Sequence, residues 1–91
     1  MTIQLMRFGN ILTSRPEGRE AALILIANEL RNTTDDIYLD FSGVFVMTPS
    51  WLGEFVDTLE AKNKKVFFMK SQNLSVIGSI QTLDEMAGKG G

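Results

Sequence analysis

The sequence predicts an α/β fold: a small, mixed, mostly parallel sheet of about four strands with three helices. Three observations predict it. Short apolar runs with strand character alternate along the chain with longer stretches whose apolar residues recur at helical spacing. Capping residues stand before each helical stretch: Ser14, Thr48-Pro49, and Ser71 or Asn73. Strands separated by helices imply right-handed crossovers, and hence parallel neighbours.

Thr2 to Phe8 reads as the first strand, with Ile3 and Leu5 alternating with Gln4 before Met6 and Phe8 shift the pattern. Gly9-Asn10 is a turn signal and Ile11-Leu12-Thr13 a returning strand. One long strand with a bulge at Gly9 is an equal reading. Ser14 and Glu17 have capping-box spacing, and Pro16 is harmless in a first turn. A helix is expected from Pro16 to Arg31, with Leu23, Ile26, Ala27 and Leu30 as its buried stripe. Ala21 to Ala27 is apolar without a break, too wide for one sheet face, so a neighbour or a partner should cover the remainder. Asn32 to Asp36 is a polar loop.

Ile37 to Glu54 is the centre of the chain. Ile37, Leu39 and Phe41 alternate with Tyr38 and Asp40, the period of a strand. Ser42-Gly43 breaks the run, and Val44 to Met47 reads as buried on both faces. Thr48 is a good N-cap, and Pro49 suits the first helical position. The helix should run from Ser50 to Ala61, burying Trp51, Leu52, Phe55, Val56 and Leu59 while Glu54, Asp57 and Glu60 face water. After a turn at Asn63-Lys64, Lys65 to Lys70 is a strand interior to the sheet. A last helix, Leu74 to Ala87, buries Val76, Ile77, Ile80 and Leu83. Gly78 inside it implies a close neighbour, and Gly88 ends it.

The central stretch carries a family resemblance. Leu39-Asp40-Phe41-Ser42-Gly43-Val44 resembles the strand and turn of the anti-sigma-factor antagonists, in which a strand runs into Asp-Ser-Ser-Gly at a helix start. Thr48 falls at the Asp, Pro49 at the phosphorylated serine, Ser50 at the second serine and Trp51 at the glycine; Leu52 and Gly53 continue the match. The chain resembles more closely the related STAS-like family of unknown function. That resemblance takes in Phe8-Gly9, Leu12-Thr13-Ser14-Arg15, Gly18-Arg19 and Asn73, and so nearly the whole chain. It implies one STAS-like domain over 1–87, and the composition of Gly88-Lys89-Gly90-Gly91 reads as a flexible tail at 88–91. It also implies a bacterial regulatory protein whose partner is a kinase-like ATPase. Pro49 has no hydroxyl, so the usual phosphorylation site is missing.

Composition narrows the chemistry. Ninety-one residues make one small domain, and 44% hydrophobic content with one Trp, one Tyr and six Phe can fill one core. A net charge of −2 makes no case for nucleic acid, and Lys62, Lys64 and Lys65 read as a solvated cluster. Without cysteine there is neither a disulfide framework nor a thiolate. Without histidine the commonest metal ligand and general base are missing. No apolar run reaches membrane-spanning length, and no leader pattern opens the chain, so a cytoplasmic protein without a membrane partner is expected. The eleven carboxylates show no metal-ligand spacing, and Phe41-Ser42-Gly43-Val44 is no phosphate loop. Asp40, the one candidate base beside a serine, reads better as a turn cap. No catalytic residue, metal or cofactor is expected.

The expected function is therefore a non-catalytic interaction module. Its partner surface would comprise Thr48, Ser50, Trp51 and Glu54; Trp51 in a first turn is more often core than contact, but an exposed ring there would be an aromatic anchor. A covalent switch is the alternative: phosphate on Ser50 or Thr48 would sit at a helix N-terminus, where exposed N–H groups favour it. Plain structural roles for the two hydroxyls compete with that reading. Arg15 and Arg19, four apart on one helix face, suggest an anion contact; pairing with Glu17, Glu20 or Asp40 is the plainer reading. A small-ligand-binding domain and a homo-oligomer complete the possibilities.

Overall fold

The computed structural model describes residues 1–33 and 35–90, and side chains up to Met86. The chain runs β1 (Thr2–Gln4), a 3₁₀ turn (Leu5–Phe8), β2 (Ile11–Leu12), α1 (Arg15–Leu25) and a π-helical turn (Ile26–Leu30). It continues with β3 (Ile37–Asp40), β4 (Val46–Met47), α2 (Pro49–Glu60), β5 (Val66–Phe68) and α3 (Leu74–Gly90). The class is α/β with three helices. In place of one sheet of about four strands there are two small parallel sheets, ordered β1-β3-β5 and β2-β4.

The N-terminal segment is neither a hairpin nor one bulged strand. β1 stops at Gln4 because Leu5, the next core residue, turns inward on a 3₁₀ turn. Gly9 then takes φ 124°, open to glycine but rarely to other residues, and redirects the chain. β2 pairs in parallel with β4 (Ile11↔Val46, Leu12↔Met47) and leaves β1 to β3.

α1 starts as expected: Ser14 Oγ accepts the Glu17 N–H at 3.4 Å. Its buried stripe matches the expected one only in part: Leu30 is buried and Ile26 half-buried, but Ala27 is exposed. Gly18, Ala21, Ala22 and Leu25 face the core, while Leu23 (43%) and Ile24 (50%) are exposed. An α-helical step from Leu25 would bring Glu29 inward. The π-helical turn absorbs one extra residue and brings Leu30 in instead, fully buried, while Glu29 reaches solvent and pairs with Arg7.

β3 is the central strand, with Ile37 and Leu39 fully buried. β5 is an edge, not the interior strand its apolar run suggested. Val66 and Phe68 turn toward the helices, and Phe67 lies on the outer face stacked on Tyr38 at 5.3 Å. Val44 to Met47 is likewise not buried on both faces. Val44 and Met47 are inside, but Phe45 is 73% exposed.

α2 carries the densest part of the core. Trp51, Leu52, Phe55 and Leu59 are at most 1% exposed, and each such side chain contributes about 1.5–3 kcal/mol by burial. Trp51 stacks on Phe55 at 4.9 Å, and Phe8 tilts against both. The turn after α2 places Asn63 at φ 63°, a conformation Asn tolerates. Lys64 is not part of a solvated cluster: its Nζ donates to the carbonyls of Leu30 (2.8 Å) and Thr33 (2.6 Å), closing the end of the π-helical turn.

α3 is the loosest helix. Asn73 caps it: its Oδ1 accepts the N–H groups of Ser75 and Val76. Val76 and Ser79 are buried, and Ile77, Ile80 and Leu83 half-buried. Nothing lies within 4 Å of a Cβ built on Gly78, so no close neighbour explains that glycine. The helix bounds run past Gly88, the expected stop. The flexible tail expected at 88–91 falls on residues whose side chains lie outside the described ones.

Candidate functional site

The sheet β2-β4 places two helix starts side by side. Both strands run in the same direction and end where a helix begins: Thr13-Ser14 leads into α1 and Thr48 into α2. The Thr48 N–H donates to the Leu12 carbonyl (3.1 Å), extending the ladder by one bond. The Thr48 hydroxyl donates to the Thr13 carbonyl (2.9 Å) and accepts the Trp51 N–H (3.4 Å). One side chain thus caps α2 and ties it to the start of α1. Gly18 allows α1 to cross against α2 directly, because a Cβ there would overlap the Trp51 carbonyl oxygen and lie 3.0 Å from its carbonyl carbon.

The free edge of β4 is completed by hydroxyls in place of another strand. The Met47 N–H donates to Ser75 Oγ (3.1 Å), and the buried Ser79 hydroxyl lies 3.2 Å from the Met47 carbonyl. Asn73 Nδ2 donates to the carbonyls of Val44 and Phe45. The start of α3 therefore fixes the segment that leads into Thr48. Sequence reading found the Asn73 cap but not this tether; the polar Ser75 and Ser79 on an otherwise apolar helix face were its signal.

Three of the expected site residues, Arg15, Arg19 and Glu54, meet at one rim. Arg15 in the first turn of α1 lies 3.5 Å from Glu54 on α2, so its partner is neither Glu17, Glu20 nor Asp40. Arg15, Arg19, Glu20, Leu23 and Glu54 line a shallow cavity of about 450 Å³. Leu23 was expected inside; it is instead an apolar wall of this cavity, and the unbroken run Ala21 to Ala27 was the sign of it. Ser50 lies half-buried in the first turn of α2, and its hydroxyl makes no hydrogen bond among the described residues. Trp51 is a correction. At 1% exposure it fills the core beneath this rim and offers no surface to a partner.

Asp40 acts as the turn cap. Its Oδ1 accepts the Ser42 N–H (2.9 Å), the main reason its carboxyl is held below the ordinary value of 3.8, with the Ser42 hydroxyl as the second cause. Among the described residues no three acidic side chains are grouped as metal ligands, and no helix is long and apolar enough to cross a membrane. The chain matches no family model, no curated protein and no solved structure.

Proposed function

We propose that this chain is a STAS-like regulatory module of the bacterial cytoplasm that binds a protein partner at the paired starts of α1 and α2, without catalysis of its own. The observation that carries the reading is the junction itself: two capped helix starts bound to one another, with Arg15, Arg19, Ser50 and Glu54 around them. Such a rim offers a fixed pattern of both charge signs, suited to specific recognition. Thr48 and Trp51 serve it from behind, as tie and support. The family resemblance supplies the partner type, a kinase-like ATPase.

A second reading rests on Ser50. Its hydroxyl is uncommitted, whereas that of Thr48 already makes two hydrogen bonds. Phosphate on Ser50 would lie at the α2 N-terminus, where N–H groups receive it, and would place further negative charge beside the Arg15–Glu54 pair.

The test is affinity capture of the tagged chain from its own cells, alongside Glu54→Arg, with the intact mass of each recovered chain. A partner retained by the wild type and lost by Glu54→Arg is expected. The same proteins captured by both forms would refute this surface. A phosphate that disappears in Ser50→Ala would select the second reading.

A further inference from the structure

The open side of β5 is a second surface, separate from the α1–α2 rim. In a parallel ladder alternate residues of a strand bond to one neighbour. The Ile37 N–H donates to the Lys65 carbonyl (2.8 Å) and the Met69 N–H to the Leu39 carbonyl (3.0 Å). Lys65, Phe67 and Met69 therefore face β3. Val66 and Phe68 present their N–H and C=O groups to the other side, where the sheet order β1-β3-β5 ends.

That side is a groove walled by α3. Ile77 and Ile80 line a cavity of about 490 Å³ with Phe68 and the residues that follow β5. Farther along α3, Leu83 lines a second cavity of about 420 Å³ with Val66 and Phe68. The two cavities share Phe68, so together they follow the length of the strand. Among the described residues the Val66 and Phe68 backbone groups have no partner on this side, and half-buried apolar side chains of α3 stand beside them, the features that receive an added strand. The groove is acidic at one end, while Lys70 lines the other. Asp57, Glu60 and Asp84 stand around the second cavity, all exposed, and none is in an ion pair among the described residues.

The geometry points to an extended partner segment that adds a fourth strand beside β5. Alternate apolar side chains of the segment would pack on Ile77, Ile80 and Leu83. Basic residues at one of its ends would meet Asp57, Glu60 and Asp84.

Synthetic peptides test this. The probes are fluorescein-labelled segments of alternating valine and threonine, about six residues, an ordinary strand length. Two carry paired arginines at one or the other end, and two carry glutamates instead. One arginine peptide is expected to bind about tenfold more tightly than its glutamate counterpart, the effect of two or three rim charge pairs. Amide exchange at Val66 and Phe68 should slow when it binds. Glu60→Lys with Asp84→Lys, both exposed and tolerable to the fold, should reverse the charge preference. Binding indifferent to charge, no saturable binding, or unprotected Val66 and Phe68 amides would each overturn the proposal. So would sedimentation of a dimer joined at this edge, which would assign the groove to a second copy of the chain. Glu54→Arg should leave peptide binding unchanged, so failure here and failure of the α1–α2 surface are separable.

Discussion

Gly18 and Gly78 are the same residue inside two helices of one small protein, and they stand under opposite conditions. At Gly18, α1 meets the backbone of α2 with no side chain between them; a Cβ would overlap the Trp51 carbonyl oxygen. At Gly78, α3 has open space where a Cβ would go. The difference separates a tightly joined half, α1 on α2 over the Trp51–Phe55 stack, from a looser half in which α3 stands off β5 across a groove. A glycine in sequence says only that a side chain is absent. Whether the absence is required depends on the helix crossing.

Gly18→Ala is the largest test of that contrast. The atom it meets is backbone and cannot rotate away, so the helices must separate. A loss of about 3 kcal/mol, the upper end of the overpacking range, is expected in urea unfolding. A loss below about 0.5 kcal/mol, the ordinary scale of surface substitutions, would mean that α1 and α2 are not in backbone contact.

The next test breaks the attachment of α3 to β4. Ser79 is 2% exposed, and its hydroxyl lies 2.7 Å from the Ser75 carbonyl and 3.2 Å from that of Met47. Its single proton serves one of them at a time. Ser79→Ala removes the donor and leaves the Met47 carbonyl short of a partner, for about 1–2 kcal/mol by the same unfolding measurement. Amide exchange at Met47 should accelerate in parallel, since Ser75 and Ser79 hold that strand edge from one helix face. Unchanged exchange there would mean that Ser75 and Asn73 hold the β4 edge without Ser79.

The same contrast explains which features were legible in the sequence. Local chemistry was legible: the Ser14 and Thr48 caps, Pro49 in the first turn, the Asn63 turn, and the Asp40 turn cap all follow from side chains acting within a few residues. Placement against distant neighbours was not. Val66-Phe67-Phe68 looks like an interior strand because a continuous apolar run does not reveal its position in the sheet order. The α1 stripe was misread at Leu23, which precedes the π-helical turn, because the unbroken apolar run Ala21 to Ala27 does not reveal which face of the helix meets α2. At the site, Arg15 and Glu54 were both singled out. Their pairing depends on two strands ending side by side, which only the β2-β4 register decides.

Gly78→Ala sharpens the contrast in the other direction. With space for the methyl group and helical backbone around it, alanine should stabilise the fold by about 0.5–1 kcal/mol, through the reduced freedom of the unfolded chain and its better helix propensity. The thermal midpoint should rise while the β5 groove stays open to the peptide probes. A fall in the midpoint would show that α3 approaches another element closely at Gly78, and the two glycines would then stand under the same condition.

The smallest effect is expected at Asp40, at the end of the central strand. Its carboxyl is held below 3.8, chiefly by the Ser42 N–H, so the folded chain binds that proton less readily than the unfolded chain. A depressed carboxylate contributes stability that is present above the ordinary value and is lost as pH falls through the lower, folded value. The wild-type thermal midpoint should therefore fall more steeply than that of Asp40→Asn from about pH 4 downward, and the two should differ by a constant amount near neutrality. Asparagine keeps an oxygen for the Ser42 N–H, so the comparison isolates the charge. Parallel midpoints across the acid range would mean that the Ser42 turn holds Asp40 by geometry alone, and that the end of β3 adds nothing to acid sensitivity.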